Sequence, residues 1–403
     1  MNMKTLSCII AAGTLLCLCH ARAAEYYADP VNGDDGNDGC SAAAAFKTLE
    51  RATKGLKAGD VLNLAAGAVF HEALVMVSSG TAAEPIIVRG NGAVVSGAHP
   101  IDPATWVSKG GNLWFQANDR RWGALRPRVF IGDEMVSPVC GHPDKVDPAG
   151  LKPRTGIWRT EGVFFMAEDG KTPSDYALYG SAGRNRDEHS GVLIEDQSYI
   201  TVESLVAERF PNDGFNVHGV CYGLVFRNIV ARENGDDGFS IHEDIDATVV
   251  GLHSHHNDYG IQDAGFAQLV VSGAVLEDNR LCGFDEHGGI RILRDSVVRR
   301  NGGRQIAIHP SSGKRRLSGS PLAETVAYLQ NVRVDGGEGE ALLVDAAVTV
   351  TAKKCVFAGT KKGCEFRGGR VHVEDCTVEG CGTETRILPK CVFTQSGSSG
   401  FGQ

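Results

Sequence analysis

The chain has 403 residues, and its 49 acidic and 40 basic side chains give it a formal net charge of −9 at pH 7. A net acidic surface repels phosphate groups, which argues against binding to nucleic acid and to an anionic membrane surface. Beyond the N-terminus, no segment approaches the ~18 consecutive apolar residues of a membrane span.

The first 23 residues have the pattern of a secretory signal. Lys4 supplies a positive charge, residues 8–19 are apolar or small, and Ala21-Arg22-Ala23 offers the small side chains that a signal peptidase requires. We therefore expect cleavage after Ala23 and a secreted or periplasmic protein. Nine cysteines would remain, an odd number. Most are expected to be buried thiols rather than a disulfide framework, and the cluster Cys355–Cys391 is the most favourable place for any bridge that forms.

One helix is predicted near the N-terminus, because apolar residues recur there every three or four positions and a glycine follows as a stop. The residues concerned are Phe46, Leu49, Ala52, Leu56 and Gly59. After this helix, the sequence consists of short apolar segments broken by Gly, Asn and Asp. Such punctuation is typical of β-strands joined by turns.

The strand-sized segments repeat with a period of 22 to 24 residues. A period of this length with Val-rich and Ile-rich strands predicts a β-solenoid, since a leucine-rich repeat would need Leu at fixed offsets and a helical return. The repeated asparagines suit a tight turn, because Asn tolerates the left-handed backbone region and its amide hydrogen-bonds to backbone. The two markers of the period are Asn234, Asn257, Asn279, Asn301 and Gly214, Gly238, Gly260, Gly283.

The repeat also predicts how the chain is divided. We expect a single domain over residues 24–393, with irregular coils or an inserted lobe at about 101–188 and regular coils over 190–393. The last residues, 394–403, are expected to form a flexible tail.

Several N-terminal segments carry a family resemblance. Tyr-Tyr-Ala-Asp-Pro at 26–30, Phe-Lys-Thr-Leu-Glu at 46–50, Ala-Gly-Asp-Val-Leu-Asn-Leu at 58–64 and Pro-Ile-Ile-Val-Arg-Gly at 85–90 resemble secreted bacterial proteins of the pectate-lyase-like superfamily. The resemblance implies an all-β fold, a right-handed parallel β-helix whose open N-terminal end is capped by one α-helix. It leaves the activity open, since that superfamily includes lyases, hydrolases, epimerases and phage tailspikes.

Histidines recur at one position of the predicted coils. Strand side chains alternate between faces, so in Phe-Asn-Val-His (215–218) and Phe-Ser-Ile-His (239–242) the polar residues point outward. Stacked coils would align four histidines in one column, interrupted at Ala264. Polar clusters of this kind are candidate sites for acid–base chemistry and sugar binding. We assign catalysis to His218, His242 and His287, and substrate binding to Asn216, Ser240, Gln262, Asp285 and His309.

Acidic residues form a second column where these strands begin. Asp213, Asp236 and Asp237 could supply the acid and base for glycoside cleavage, which in inverting enzymes lie ~6.5–9.5 Å apart. The same carboxylates offer hard oxygen ligands for Ca²⁺, or act only as turn formers. Asp263 is a further predicted catalytic acid, and Arg291 is a further predicted substrate contact.

These residues bear on two reaction classes, hydrolysis and elimination. Asn212-Asp213-Gly214 and Asp236-Asp237 resemble the first motifs of polygalacturonase-type hydrolases, but that family's Gly-His-Gly is missing and its Arg-x-Lys is only half matched by Arg291-Ile292-Leu293. Lyases of the resembling superfamily often use Lys or Arg as the base. No lysine occurs between Lys171 and Lys314, so an elimination in the central coils would need Arg or His.

These features together predict a carbohydrate-active enzyme that cleaves a polysaccharide or oligosaccharide, by hydrolysis or by β-elimination, in a groove formed by residues 212–309. The alternatives are a non-catalytic glycan-binding, cell-envelope or adhesion β-helix and a uronate C5 epimerase. A binding groove would be lined with aromatic rings, whereas the outward positions here are His, Asp, Asn, Ser and Gln. This composition favours an enzyme.

Overall fold

The computed structural model describes residues 23–117, 128–137, 145–181, 189–263, 265–311 and 324–402. The predicted signal peptide therefore lies almost entirely outside the described residues, as does Ala264. Within these ranges the chain forms 36 β-strands, the α-helix Leu49–Thr53, and single 3-10 turns at Ala42–Ala44, Pro103–Thr105, Pro148–Gly150 and Pro173–Asp175. None of the described helices combines the length and the apolar character needed to cross a membrane.

Two long parallel sheets make up most of the structure. Sheet A has 18 strands: β1 (Glu25–Ala28), β2 (Val61–Leu64), β3 (Val69–Phe70), β5 (Ile86–Ser96), β15 (Ile200–Glu208), β17 (Val220–Arg227), β18 (Val230–Arg232), β20 (Asp244–Val250), β21 (His253–His255), β23 (Gln268–Ser272), β24 (Val275–Glu277), β26 (Ile290–Arg299), β28 (Thr325–Glu340), β30 (Val348–Lys353), β31 (Val356–Lys362), β33 (Gly369–Glu374), β34 (Thr377–Glu379) and β36 (Cys391–Ser396). Sheet B has ten strands: β4 (Leu74–Met76), β14 (Val192–Glu195), β16 (Phe215–His218), β19 (Asp237–Ile241), β22 (Tyr259–Asp263), β25 (Cys282–His287), β27 (Ile306–His309), β29 (Leu342–Val344), β32 (Glu365–Phe366) and β35 (Arg386–Ile387).

Each strand pairs in parallel with the strand one coil further along the chain, which confirms the predicted β-solenoid. In sheet B, Phe215 lies beside Phe239, Phe239 beside Ile261, and Ile261 beside Phe284. All four side chains are buried in one continuous core. Removal of these stacked apolar surfaces from water is the main force that holds successive coils together.

A column of left-handed residues bends sheet A into two faces. Asn228, Gly251, Gly273 and Asp295 occupy successive coils with φ angles of 50°, 74°, 64° and 51°. Asn, Asp and Gly are the residue types that enter this region at least cost. One coil therefore consists of a strand of sheet B followed by two strand segments of sheet A.

The four repeated asparagines form a buried ladder at the turn that leads into sheet B. The side-chain amides of Asn234, Asn257 and Asn279 each donate to the Oδ1 atom of the next asparagine, at 3.0, 3.2 and 3.0 Å. The last one, Asn301, donates to Gln305 Oε1 at 2.9 Å. The stacking is confirmed, but the expected left-handed backbone belongs to the residue before each asparagine, namely Glu233, His256, Asp278 and Arg300.

The two ends of the core are occupied by apolar side chains. The helix Leu49–Thr53 is shorter than predicted, and its Leu49 and Ala52 pack in the core at the N-terminal end. At the other end, Phe401 is buried, with its ring centroid 6.0 Å from that of Phe393. The prediction of a flexible tail from residue 394 is therefore wrong, because residues 391–396 form a strand and Phe401 packs against the last coil.

The irregular region forms a lobe of antiparallel strands with its own apolar core, which includes Trp158 and Phe165. Arg128 connects it to the solenoid by donating to the Asn234 carbonyl at 3.1 Å and to Asp258 Oδ1 at 3.0 Å. The lobe contains two four-stranded sheets. Their strands are β6 (Ala98–Pro100), β7 (Val107–Ser108), β8 (Leu113–Ala117), β9 (Val129–Ile131), β10 (Glu134–Met135), β11 (Thr155–Arg159), β12 (Gly162–Met166) and β13 (Leu178–Ser181).

The cysteines of the described ranges are all free thiols. Cys355 and Cys376 lie one above the other in the core, and the Cys355 N–H donates to Cys376 Sγ at 3.3 Å. No disulfide is formed by the described members of the cluster Cys355–Cys391. Most of these side chains act as small apolar residues between coils.

The ladder generates a stability prediction. Asn279→Ala should lower the free energy of unfolding by about 1–3 kcal/mol, because it leaves the buried N–H and amide of Asn257 without an acceptor. Denaturant unfolding of the variant measures this loss. The exposed Asn32 bonds only to Asp29, and water can replace that contact, so Asn32→Ala is the control with little effect. Equal stabilities of the two variants would contradict the proposed role of the ladder.

Candidate functional site

The outer face of sheet B gathers most of the predicted site residues. The register pairs Asn216 with Ser240, Ser240 with Gln262, and Gln262 with Asp285. These side chains therefore form one row across β16, β19, β22 and β25. Gln262 is half-buried, whereas the other three are buried. The row is consequently a desolvated polar surface rather than a freely solvated one.

The predicted histidine column is present as two stacked pairs. The rings of His218 and His242 have centroids 4.4 Å apart and an interplanar angle of 6°. The rings of His287 and His309 have centroids 4.5 Å apart and an angle of 19°. One intervening coil separates the pairs. Stacking at one residue per coil is what a parallel register requires of residues at equivalent positions.

His242 is neutral at physiological pH. Burial, followed by the neighbouring His218, lowers the pKa of His242 to about 4, although Glu243 opposes the shift. Its Nε2 atom lies 3.0 Å from Ser240 Oγ. A neutral imidazole keeps one nitrogen that can accept a proton, which is the property of a general base.

Three carboxylates converge at the beginning of β19. One carboxylate oxygen each of Asp213, Asp236 and Asp237 lies within 4.8 Å of the other two. Asp213 accepts hydrogen bonds from the Asp237 N–H at 3.0 Å and from the amides of Asn212 at 2.8 Å and of Asn216. The group is thus held in place by the backbone of the next coil and by Asn216 of the polar row.

The repeated glycines allow this arrangement. A Cβ atom on Gly238 would lie 1.9 Å from Ser254 Oγ and 2.8 Å from the amide of Asn257. Only glycine lets the strand pass this close to the asparagine ladder. The strand begins there, with Asp237 directly before the glycine.

We call the connected group formed by these residues the polar strip. Asn216 contacts Asp213, its neighbour Ser240 contacts His242, and His242 stacks on His218. The strip consists of Asp213, Asp236, Asp237, Asn216, Ser240, His242 and His218. It brings together carboxylates and a neutral imidazole, the groups that acid–base chemistry needs.

A second cluster lies on the same face, two coils from His242. Asp285 Oδ1 lies 3.1 Å from His287 Nε2 and 3.4 Å from His309 Nε2. His309 Nδ1 lies 2.9 Å from Asp345 Oδ2. Burial by itself raises the pKa of Asp345, but the contacts with His309 and Arg367 together outweigh it and lower that pKa below its ordinary value. The predicted residues Asp285, His287 and His309 are therefore in mutual contact.

Two predicted site residues do not face the groove. Asp263 pairs with Ile241 and Glu286, and Glu286 pairs with Ile308, so both acids belong to an interior column. Arg291 lies inside as well, where it contacts both carboxylates. All three side chains are fully buried.

The catalytic assignment of Asp263 and the substrate-binding assignment of Arg291 are therefore wrong. Strand alternation directs Asp263 inward like Ile261, and the Arg291 position is equivalent to that of the core residue Leu269. Burial lowers the pKa of Arg291 to about 9 and raises the pKa of Glu286. Ion pairing compensates the charges inside the core.

Asp258 stands where the hydrolase resemblance expects Gly-His-Gly. Its role here is structural. It is buried between Arg128 and Arg280, and Arg280 Nε donates to Asp258 Oδ1 at 2.6 Å. This acid holds the lobe to the solenoid. It does not extend the carboxylate group of the polar strip.

The sequence of the central coils matches a known family model. A family model described as "right handed beta helix region" matches residues 190–320. The chain is a right-handed parallel β-helix. No sequence among curated proteins matches it.

Three solved structures with a similar fold illustrate the likeness. A glycoside hydrolase has 11% sequence identity and a TM-score of 0.53, with 93% of this chain and 96% of that chain covered. XylC in complex with xylose has 12% identity and a TM-score of 0.51, covering 90% and 70%. Pectate lyase Pel9A also has 12% identity and a TM-score of 0.51, covering 92% and 78%. At these identities the likeness shows the fold alone.

Sequence reasoning missed Asp345. Ile308 pairs with Val344 in the β-helix, so Asp345 is the residue that follows His309 in the same column. The two are 36 residues apart, which is longer than the regular period. Aligning the strand Leu342–Val344 with Ile306–Ile308, instead of stepping forward by the regular period, would have placed Asp345 beside His309.

The buried charges in the β-helix core generate a second prediction. Arg291→Met should destabilise the protein by about 3–5 kcal/mol, because two core carboxylates lose their only described cationic partner. Combining it with Asp263→Leu and Glu286→Leu should restore most of the stability. Chemical denaturation of both variants measures the effects. A stable Arg291→Met variant would refute the structural role of this cluster.

Proposed function

We propose that this protein is a secreted carbohydrate-active enzyme that cleaves a polysaccharide or oligosaccharide along the polar strip. The observation that carries the proposal is the convergence of the Asp213, Asp236 and Asp237 carboxylates on a surface connected to the neutral imidazole of His242. The similar fold of a glycoside hydrolase and of pectate lyase Pel9A supports the substrate class.

The strip contains what each of two cleavage reactions requires. Hydrolysis needs one carboxyl group to protonate the leaving oxygen and a second to activate water or attack the sugar. Elimination needs a base that removes the proton beside a uronate carboxylate, and neutral His242 has the required lone pair. In both reactions, Asn216 and Ser240 would position the sugar between the carboxylates and the imidazole.

The composition of the strip favours an enzyme over a binding module. Glycan-binding surfaces rely on the flat faces of aromatic rings, which bury a large apolar area. The residues that define the strip offer three carboxylates, one amide, one hydroxyl and two imidazoles. The strip is thus better equipped to transfer protons than to stack against sugar rings.

A glycan panel tests the proposed activity. New reducing ends would indicate either type of cleavage, and absorbance of unsaturated uronates would indicate elimination. On the substrate that responds, Asp237→Asn and His242→Ala should each lower the rate by about 10²–10⁴-fold, as expected for loss of a general acid or base. If His242 is the base, the wild-type rate should fall as the pH drops through about 4, where its imidazole becomes protonated.

The control for this experiment is His372→Ala, which removes a histidine of sheet A whose Nδ1 atom lies 2.8 Å from Thr394 Oγ1. It should keep wild-type turnover. If Asp237→Asn and His242→Ala also keep full turnover while remaining folded, the strip is not the catalytic centre. Absence of cleavage combined with glycan binding would favour the binding module.

The three carboxylates of the strip also offer oxygen ligands to Ca²⁺. If they bind it, chelation with EGTA should lower the melting temperature and added Ca²⁺ should restore it, because a ligand that binds only the folded state stabilises that state. Asp236→Asn should remove this response. An unchanged melting curve in EGTA would leave the three aspartates as catalytic or turn-forming groups.

A further inference from the structure

We propose that Asp285, His287 and His309 bind one divalent transition-metal ion, and that Asp345 positions His309 for this role. The site lies outside the polar strip and does not depend on the cleavage reaction proposed above. Its ligands come from β25 and β27, two adjacent strands of sheet B.

The ligand atoms have the spacing of a coordination sphere. Asp285 Oδ1 lies 3.1 Å from His287 Nε2 and 3.4 Å from His309 Nε2, and each of the three residues offers a ligand atom within 4.8 Å of those of the other two. A tetrahedral zinc ion with bonds of about 2.1 Å holds its ligand atoms about 3.4 Å apart. One ion can therefore contact all three atoms after only small movements.

The hydrogen bond to Asp345 determines which nitrogen of His309 is available. A carboxylate only accepts, so the 2.9 Å contact places a proton on Nδ1. In the neutral ring, Nε2 then presents a lone pair toward Asp285. Metal-bound histidines usually have such a carboxylate on the other ring nitrogen, which fixes the tautomer and the ring orientation.

The Asp285 carboxylate provides an independent observation. Its Oδ1 atom is buried and accepts no hydrogen bond, although two imidazole nitrogens lie beside it. Only 8% of the side chain is exposed, so water cannot easily satisfy that oxygen. A buried carboxylate without a donor is costly, and a bound cation would remove the penalty.

The donor set selects the type of ion. Two imidazoles and one carboxylate suit Zn²⁺, Co²⁺, Fe²⁺ or Ni²⁺, whereas Ca²⁺ prefers oxygen ligands. Three protein ligands leave coordination positions for water or for a sugar oxygen. The side chain of His287 is 31% exposed, which gives an incoming ion access from solvent.

The pair His218 and His242 offers a natural comparison. Its rings stack at nearly the same separation, 4.4 Å. The row residue beside it is Ser240, which stands where Asp285 stands beside His287. The buried Asp285 carboxylate lies within 3.4 Å of both rings of its pair, whereas Glu243, whose side chain is 41% exposed, lies 3.6 Å from His218 Nδ1. His242→Ala is therefore a matched control for metal binding.

Cobalt binding to the chelator-treated full-length protein tests the proposal. We expect one equivalent of Co²⁺ with visible d–d absorption, displaced by Zn²⁺. Asp285→Asn and the double variant His287→Ala/His309→Ala should abolish this absorption, and Asp345→Asn should weaken binding about 10–100-fold. His242→Ala should bind as the wild type does. Circular dichroism confirms that each variant is folded.

Two results would overturn the proposal. The first is a wild-type protein that takes up no Co²⁺ or Zn²⁺, in which case Asp285, His287, His309 and Asp345 form only a polar cluster held by contacts among their side chains. The second is uptake that persists in Asp285→Asn and in the double variant, which would place the ion on other histidines or on thiols. Either result leaves the proposed cleavage reaction untouched, because metal content is measured without substrate.

Discussion

The parallel register between coils is the constraint on which the rest of the structure depends. It is fixed where the asparagine ladder meets sheet B, since the amides of Asn234, Asn257 and Asn279 each donate to the next asparagine. A shift of one residue would turn every side chain of a strand to the opposite face. It would also leave buried amides without partners. The ladder therefore specifies the register more strictly than apolar stacking alone.

The same register creates the functional surface. Equivalent residues of neighbouring coils lie about 4.8 Å apart, so a polar residue that repeats at one position becomes a continuous row. His218 over His242 and His287 over His309 follow from this geometry, as does the convergence of Asp213 and Asp237. The β-helix thus places chemical groups side by side although they are more than 20 residues apart in sequence.

The parallel register also aligns charged residues inside the β-helix, where they occupy core positions. Asp263 and Glu286 occupy positions where other coils have Ile241 and Ile308, and Arg291 reaches them from the opposite sheet. Such a cluster adds little net stability compared with apolar residues of similar size, yet it tolerates no loss of a single partner. At the turn before sheet B, Arg128 similarly binds the lobe to Asp258 and to the carbonyl of Asn234.

The sequence by itself determined the repeat, the β-helix, the asparagine ladder and the histidine column, because in a solenoid each of these depends on a residue and its equivalent one period away. It did not determine the C-terminal packing of Phe401, the fate of Asp263 and Arg291, or the contact of His309 with Asp345. Those depend on which side chains meet across the core or across an interrupted period. Only the tertiary structure brings Arg291 of sheet A to the acids of sheet B, and only the pairing of β27 with β29 places Asp345 beside His309.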